Sequence, residues 1–246
     1  MNYYNYFTEV EEHFVRRRGK HMWVSPMDWS LIATWRDSGV PLHIALRGID
    51  KAMDSFFASQ RQTHKRPSNL FYCHSSVMEE HAHYLESQQG EGEASQTVEP
   101  SGAGEPSNLA EDKGPSKQAV LEFLEKRISE IRSLFAKHFV EDNAKEALER
   151  FILRLQEIQR DLKSEAQIDT DALERDLSIL DGLLVTELRS RISAEQTAEW
   201  EKEAKSELKL YKKKLPKDTY RKIVDNFLRD KLRRFYAIGE LSLFHL

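Results

Sequence analysis

Residues 87–115, SQQGEGEASQTVEPSGAGEPSNLAEDKGP, divide the chain. These 29 residues hold five of the ten glycines and three of the seven prolines. They carry six acids against one lysine and no aromatic residue. A segment of that composition cannot bury enough apolar surface to offset the entropy of ordering its backbone. It predicts a disordered acidic linker, a flexible tether between two folded parts, residues 1–86 and 116–246.

Both parts read as helix, so the expected fold class is all-α. In the first, Tyr3, Phe7, Val10 and Phe14 recur at helical spacing, and Gly19 follows Arg16-Arg17-Arg18 as a stop. Ser25-Pro26-Met27-Asp28 opens a second helix, with Ser25 as cap, Pro26 at the first helical position and Asp28 returning a bond. Trp29, Ile32 and Ala33 then face inward with Trp35 at the edge, and Gly39 ends the helix. Pro41 opens a third, whose core face is Leu42, Ala45, Leu46, Ile49, Met53, Phe56 and Phe57. Ser68 caps a fourth, carrying Leu70, Phe71, Val77, Met78 and Leu85. The predicted unit is a small four-helix domain.

The second part predicts an antiparallel bundle of about five longer helices. Their stripes begin with Leu121, Leu124, Ile128, Ile131 and Phe135, then Leu148, Phe151, Ile152, Leu155, Ile158 and Leu162. Asp169 caps the third, which holds Leu173, Leu177, Leu180, Leu184, Leu188 and Ile192. Ser193 and Gln196 form a capping-box pair before Trp200, Ala204, Leu208 and Tyr211. Pro216 opens the last, with Tyr220, Ile223, Phe227, Leu228 and Phe235. Gly239 releases an apolar tail, Leu241 to Leu246, which docks either on its own core or on a partner.

Several function classes fall away. One cysteine, Cys73, excludes an internal disulfide framework and a Cys-rich zinc site, and fits a reducing, cytoplasmic location. The opening residues MNYYNYFTEVEEHF lack the basic-then-apolar layout of a secretory signal. No apolar run is long enough to span a bilayer, so no membrane partner is expected. No Gly-rich phosphate loop, nucleophile elbow or His-Glu-x-x-His motif occurs. No catalytic residue and no cofactor is assigned.

Charge is unevenly spread. Residues 1–86 balance ten basic against ten acidic side chains. Residues 116–201 have 13 basic and 19 acidic, while 202–246 have 13 basic and 6 acidic. The last helices are thus basic beside acidic neighbours. Lys212, Lys213, Lys214, Lys217, Arg221 and Lys222 are candidate phosphate contacts. A second candidate patch is Arg16, Arg17, Arg18 and Lys20, to which Arg61, Lys65 and Arg66 belong if the fold brings them together. Both sets have a plain alternative: complementing acidic helices, or a helix C-terminus that favours positive charge.

Seven of the nine histidines lie in the first 86 residues. Glu80 and His83 have the Glu-x-x-His spacing of di-metal bundles, but no second copy accompanies them, so no metal site is assigned. His81 and His83 point away from each other. Cys73 beside Phe71 and Tyr72 reads as a small core residue, and its neighbour His74 diverges from it on a helix.

The run SPMDWSLIATWRDSGVPLHIALRGIDKAMDSF, followed by SNLFYCHSSVMEEH, resembles the DnaD-type helical domain of bacterial primosome proteins. The resemblance lies in Ser25-Pro26, Leu31, Ile32, Trp35, Gly39, Leu46, Ile49, Ala52 and a Tyr72-centred segment, within residues 25–85. It implies an all-helical fold, DNA binding or remodelling, and contact with replication proteins. The expected function is a non-enzymatic nucleic-acid-associated or assembly protein. A protein–protein adaptor without nucleic acid, and a metal-binding helical protein, are the alternatives.

Overall fold

The structure is a computed structural model that describes residues 6–19, 25–59, 66–90, 115–138, 142–164 and 168–243. The chain is all-α, with nine α-helices and no strand among the described residues. It divides into two compact units, one carrying helices α1 to α4 and the other α5 to α9. Residues 91–114, most of the expected linker, lie outside the described residues.

The first unit contains α1 (Tyr6–Arg18), α2 (Pro26–Asp37), α3 (Leu42–Ser59) and α4 (His74–Gly90). Helix α4 therefore runs past the boundary expected at residue 86. The capping box at α2 forms in full: Asp28 N–H donates to Ser25 Oγ (3.1 Å) and Ser25 N–H to Asp28 Oδ2 (3.2 Å). Gly39, at φ +75°, closes α2, with Val40 N–H reaching back to the Trp35 carbonyl at 3.0 Å.

Ser68 does not cap a fourth helix. A 3₁₀ turn, Leu70–Cys73, precedes α4, and its first N–H group is served from elsewhere: Leu70 N–H donates to Asp28 Oδ1 at 2.9 Å. Asp28 thus accepts at both oxygens and ties the turn to the start of α2. Burial pushes its carboxyl pKa up; the hydrogen bonds from Leu70 and Ser25, and the charge of Arg18, oppose that.

Several core assignments need correction. Trp35 is fully buried while Trp29 and Ala33 are only partly so. Phe57 and Leu85 are exposed. The inner stripe of α4 is His74, Val77 and His81, with polar rings standing where leucines would be expected. His74 has a partner there: Trp35 Nε1–H donates to His74 Nδ1 at 2.9 Å, with the two ring planes nearly parallel. Burial lowers the His74 pKa to about 4 and raises the Cys73 thiol to about 12.

Gly48 lets α3 and α4 approach. A Cβ there would stand 2.5 Å from Val77 Cα, a backbone atom that cannot step aside. Gly48→Ala is expected to destabilise this unit by about 1–3 kcal/mol, read from its urea unfolding midpoint.

The second unit contains α5 (Lys117–His138), α6 (Asp142–Ser164), α7 (Thr170–Arg189), α8 (Ala194–Glu207) and α9 (Lys217–Tyr236). Helix α5 packs on α6, α6 on α7, α7 on α9 and α8 on α9. Neighbours run antiparallel: Arg233 pairs with Asp181 and Arg189 with Asp225, so α7 and α9 count in opposite directions. The core holds the expected stripes, including Leu124, Ile131, Leu155, Leu177, Leu184 and Leu228. Phe135 lies outside the described side chains. Leu180 is only partly buried, and Phe235 is exposed but packs edge-on against Trp200 and Tyr236.

Asp169 caps α7 through Ala172 N–H (2.9 Å) and Ser193 caps α8 through Gln196 N–H (3.1 Å). The Gln196 amide turns to Glu199, so only half of that capping box forms. Helix α8 also ends earlier than its stripe predicts, giving way to a 3₁₀ turn at Leu208–Leu210.

The end of α9 is set by Ala237, not by Gly239. Ala237 adopts φ 53°, and Ile238 N–H returns to the Arg233 carbonyl at 2.9 Å. Gly239 serves a different need, since a Cβ there would overlap the guanidinium of buried Arg127. The tail then docks on its own core, with Leu241 and Leu243 fully buried. Three carboxylates receive alternate N–H groups: Glu130 from Gly239 (2.9 Å), Asp181 from Leu241 (3.0 Å) and Glu174 from Leu243 (2.6 Å). Phe244, His245 and Leu246 lie outside the described residues.

The first unit should weaken in acid. The His74 pKa is about 4 folded against 6.5 as its ordinary value, so the unfolded chain takes up the proton first. Stability is complete above about pH 6.5 and falls as pH approaches 4, by up to roughly 3 kcal/mol. Asp28, with its raised pKa, offsets part of this. His74→Gln should flatten the fall in unfolding midpoint between those pH values; an unchanged slope would show that another group titrates.

Candidate nucleic-acid interface

The fold sorts the basic residues by whether an acid or a carbonyl already uses them. Around the end of α1, Arg66 does come to the patch of Arg16, Arg17 and Arg18, donating to the Arg18 carbonyl. Lys20, Arg61 and Lys65 lie outside the described residues, as do His21 and His64. The described members are engaged within the unit. Arg17 bridges Asp50 (3.0 Å) and Asp54 on α3, and Arg16 hydrogen-bonds His13 (3.0 Å). Arg18 lends its charge to Asp28. This patch closes a helix C-terminus and seals α1 on α3.

The Glu80–His83 spacing likewise resolves into ion pairs. Glu80 accepts from Lys51 (2.9 Å) and pairs with Arg47 (2.6 Å), which together lower its pKa, the Lys51 hydrogen bond most. His83 stands beside Glu86 instead, at 3.6 Å. Among the described residues no three His, Cys, Asp or Glu side chains converge as a metal ion would require.

In the second unit the basic set of α8 and α9 splits along its length. The residues toward the C-terminal end of α9 meet acids. Arg233 pairs with buried Asp181, Lys231 with Glu203 (2.7 Å), Arg229 with Asp225 (3.0 Å) and Arg234 with Asp230 (3.0 Å). These cations complement acidic side chains, as one of the two sequence readings has it.

The other end is different. Lys209, Lys212, Lys213, Lys214 and Lys217 are all exposed, and among the described residues none has an acidic partner. Arg221 and Lys222 follow on the exposed face of α9, Arg221 having only the exposed Asp218 at 3.8 Å. Lys217 and Arg221, four apart, share one face of the helix.

The lysines sit on a rigid support. After α8, Tyr211 and Lys212 N–H groups both donate to the Leu208 carbonyl, and Lys214 and Leu215 N–H groups to the Tyr211 carbonyl, at 2.8–3.0 Å. Leu208 and Leu215 are buried and anchor both ends of the turn. Pro216 then leads into α9, and no side chain among the described residues caps that helix. The positive end of the helix dipole therefore adds to the lysines. Five uncompensated ammonium groups on a fixed turn attract anions, and the fixed backbone confines the ordering cost of binding to the side chains.

Lys209 and Leu210 were missed as site residues. Leu210 is 79% exposed, and its signal was present: it stands two residues from Leu208, off the inward stripe of α8.

A protein-family model described as "Uncharacterised protein" matches residues 5–93, the stretch that carries α1 to α4. No curated protein and no solved structure matches the chain. Among the described residues no helix is long and apolar enough to cross a membrane.

The difference between paired and unpaired cations can be measured. Arg233→Ala is expected to cost about 3–5 kcal/mol in unfolding of the second unit, because Asp181 would be left buried and unpaired. Lys212→Ala, Lys213→Ala and Lys214→Ala together should not lower that unfolding midpoint and, by relieving mutual repulsion, should raise it slightly.

Proposed function

We propose that this is a non-enzymatic, nucleic-acid-associated protein that binds the phosphate backbone through the basic turn between α8 and α9. One observation carries the reading: Lys209, Lys212, Lys213, Lys214 and Lys217 are exposed and uncompensated, while the basic residues further along α9 are neutralised in place. Clustered like charge without a partner destabilises a folded chain, so a bound polyanion supplies what the fold withholds. Arg221 and Lys222 extend the same surface along α9. The resemblance of residues 25–85 to the DnaD-type domain points the same way, toward DNA and a replication-related setting with a replication protein as a further partner. The cytoplasm is the proposed location.

Binding of a short double-stranded DNA, titrated against salt, tests this. Each phosphate contact contributes about 0.9 to the slope of log K against log salt. Replacing Lys212, Lys213, Lys214 and Lys217 by alanine should weaken binding at low salt by about ten-fold or more and lower that slope by about 3.6 if each makes one phosphate contact. Equal affinity and slope for the two proteins would overturn the reading.

A further inference from the structure

Leu210 is the most exposed large hydrophobic among the described residues, at 79%, against 64% for Ile179, the next. Its position is not an accident of a loose loop. Leu208 on one side is fully buried, Leu215 on the other is 9% exposed, and four backbone hydrogen bonds close the turn between them. The side chain is therefore presented outward by a fixed backbone, with Lys209 before it and Lys212, Lys213 and Lys214 after it.

We infer that Leu210 is an apolar wedge that enters an opened base step, and that the preferred ligand is duplex DNA interrupted by a gap or other unstacked site. This rests on the nucleic-acid role proposed for the same turn. Lys209 precedes Leu210 and Lys212 to Lys214 follow it in the chain, so phosphates drawn to the turn come close to it. A leucine pressed against nucleic acid beside phosphate contacts meets small apolar patches at sugars and thymine methyls, but the largest apolar surface is the faces of the bases. Those faces are sealed in a regular stack and open where the stack is interrupted, so the wedge gains most where unstacking has already been done.

The surroundings favour a base step over a lipid surface. An interfacial membrane anchor offers an apolar face of several side chains. Here most residues that follow along the turn and into α9, Lys212 to Lys214, Lys217, Asp218 and Arg221, are charged and exposed, while Tyr211 and Tyr220 are half-buried and Leu215 is buried. Leu210 is the one large aliphatic side chain exposed in this stretch, and one side chain fits one step.

The test compares an intact duplex with the same duplex carrying a one-nucleotide gap, for the full chain, Leu210→Ala, Leu210→Met and the four-lysine variant. Leu210 is exposed, so its replacement leaves the fold intact. The parent is expected to bind the gapped duplex about ten-fold more tightly. Leu210→Ala should bring the two duplexes together without changing the salt slope, and Leu210→Met should keep the preference. No preference in the parent, or the same preference in Leu210→Ala, overturns the wedge while the backbone reading stands. Four-lysine replacement without effect on either duplex overturns the backbone reading itself. Leu210-dependent binding to vesicles containing phosphatidylserine, with no discrimination between duplexes, also overturns the wedge and assigns the turn to a lipid surface.

Discussion

Asp181 stands on the inner stripe of α7, between Leu177 and Leu184, at a position that helical periodicity assigns to an apolar residue. A carboxylate there is tolerable only if its charge is matched and its lone pairs are filled. Arg233 of α9 supplies the charge and Leu241 N–H a hydrogen bond at 3.0 Å. The pair therefore joins three elements that are remote in sequence: α7, α9 and the tail. Glu130 and Glu174 repeat the device at Gly239 and Leu243, so a non-helical segment has its alternate N–H groups satisfied by side chains. The first unit uses the same solution on a smaller scale, where Asp28 holds the start of α2 and the turn before α4 together.

This arrangement has a consequence for the surface. Acids of α7, α8 and α9 pair with the cations from Arg229 to Arg234, whereas at the turn between α8 and α9 no acid among the described residues pairs with Lys209, Lys212, Lys213, Lys214 or Lys217, which face water. The candidate interface is thus not simply the most basic stretch of chain. It is the part of that stretch the fold leaves uncompensated. The patch at the end of α1 is equally basic on paper but is consumed by Asp50, Asp54 and backbone carbonyls.

Much of the fold was legible from residue order. The capping box at Ser25, the stop at Gly39, the cap at Asp169 and the leucine stripes of α5 to α7 depend on neighbours within one or two turns, and local spacing reports them directly. The errors share a cause. Ser68 as a cap, Trp35 at an edge and Gly239 as the helix stop each turned on a distant partner: Asp28 for the turn, His74 for the indole, Arg127 for the glycine. The candidate site was half legible. Lys212 to Lys214 were conspicuous in sequence, but so were Arg16 to Arg18, and composition treats the two runs alike.

By itself the sequence determined that the chain is helical, where most of its helices begin and end, and that basic charge gathers near the C-terminus. These follow from periodicity, capping chemistry and counting, which act over a few residues. Only the tertiary structure decided which cations meet an acid, which polar side chains go inside, and that Leu210 faces out between lysines. Coulomb and hydrogen-bond partners are chosen by distance in space. The pairs that matter most here, Arg233 with Asp181 and Leu70 with Asp28, lie 52 and 42 residues apart along the chain.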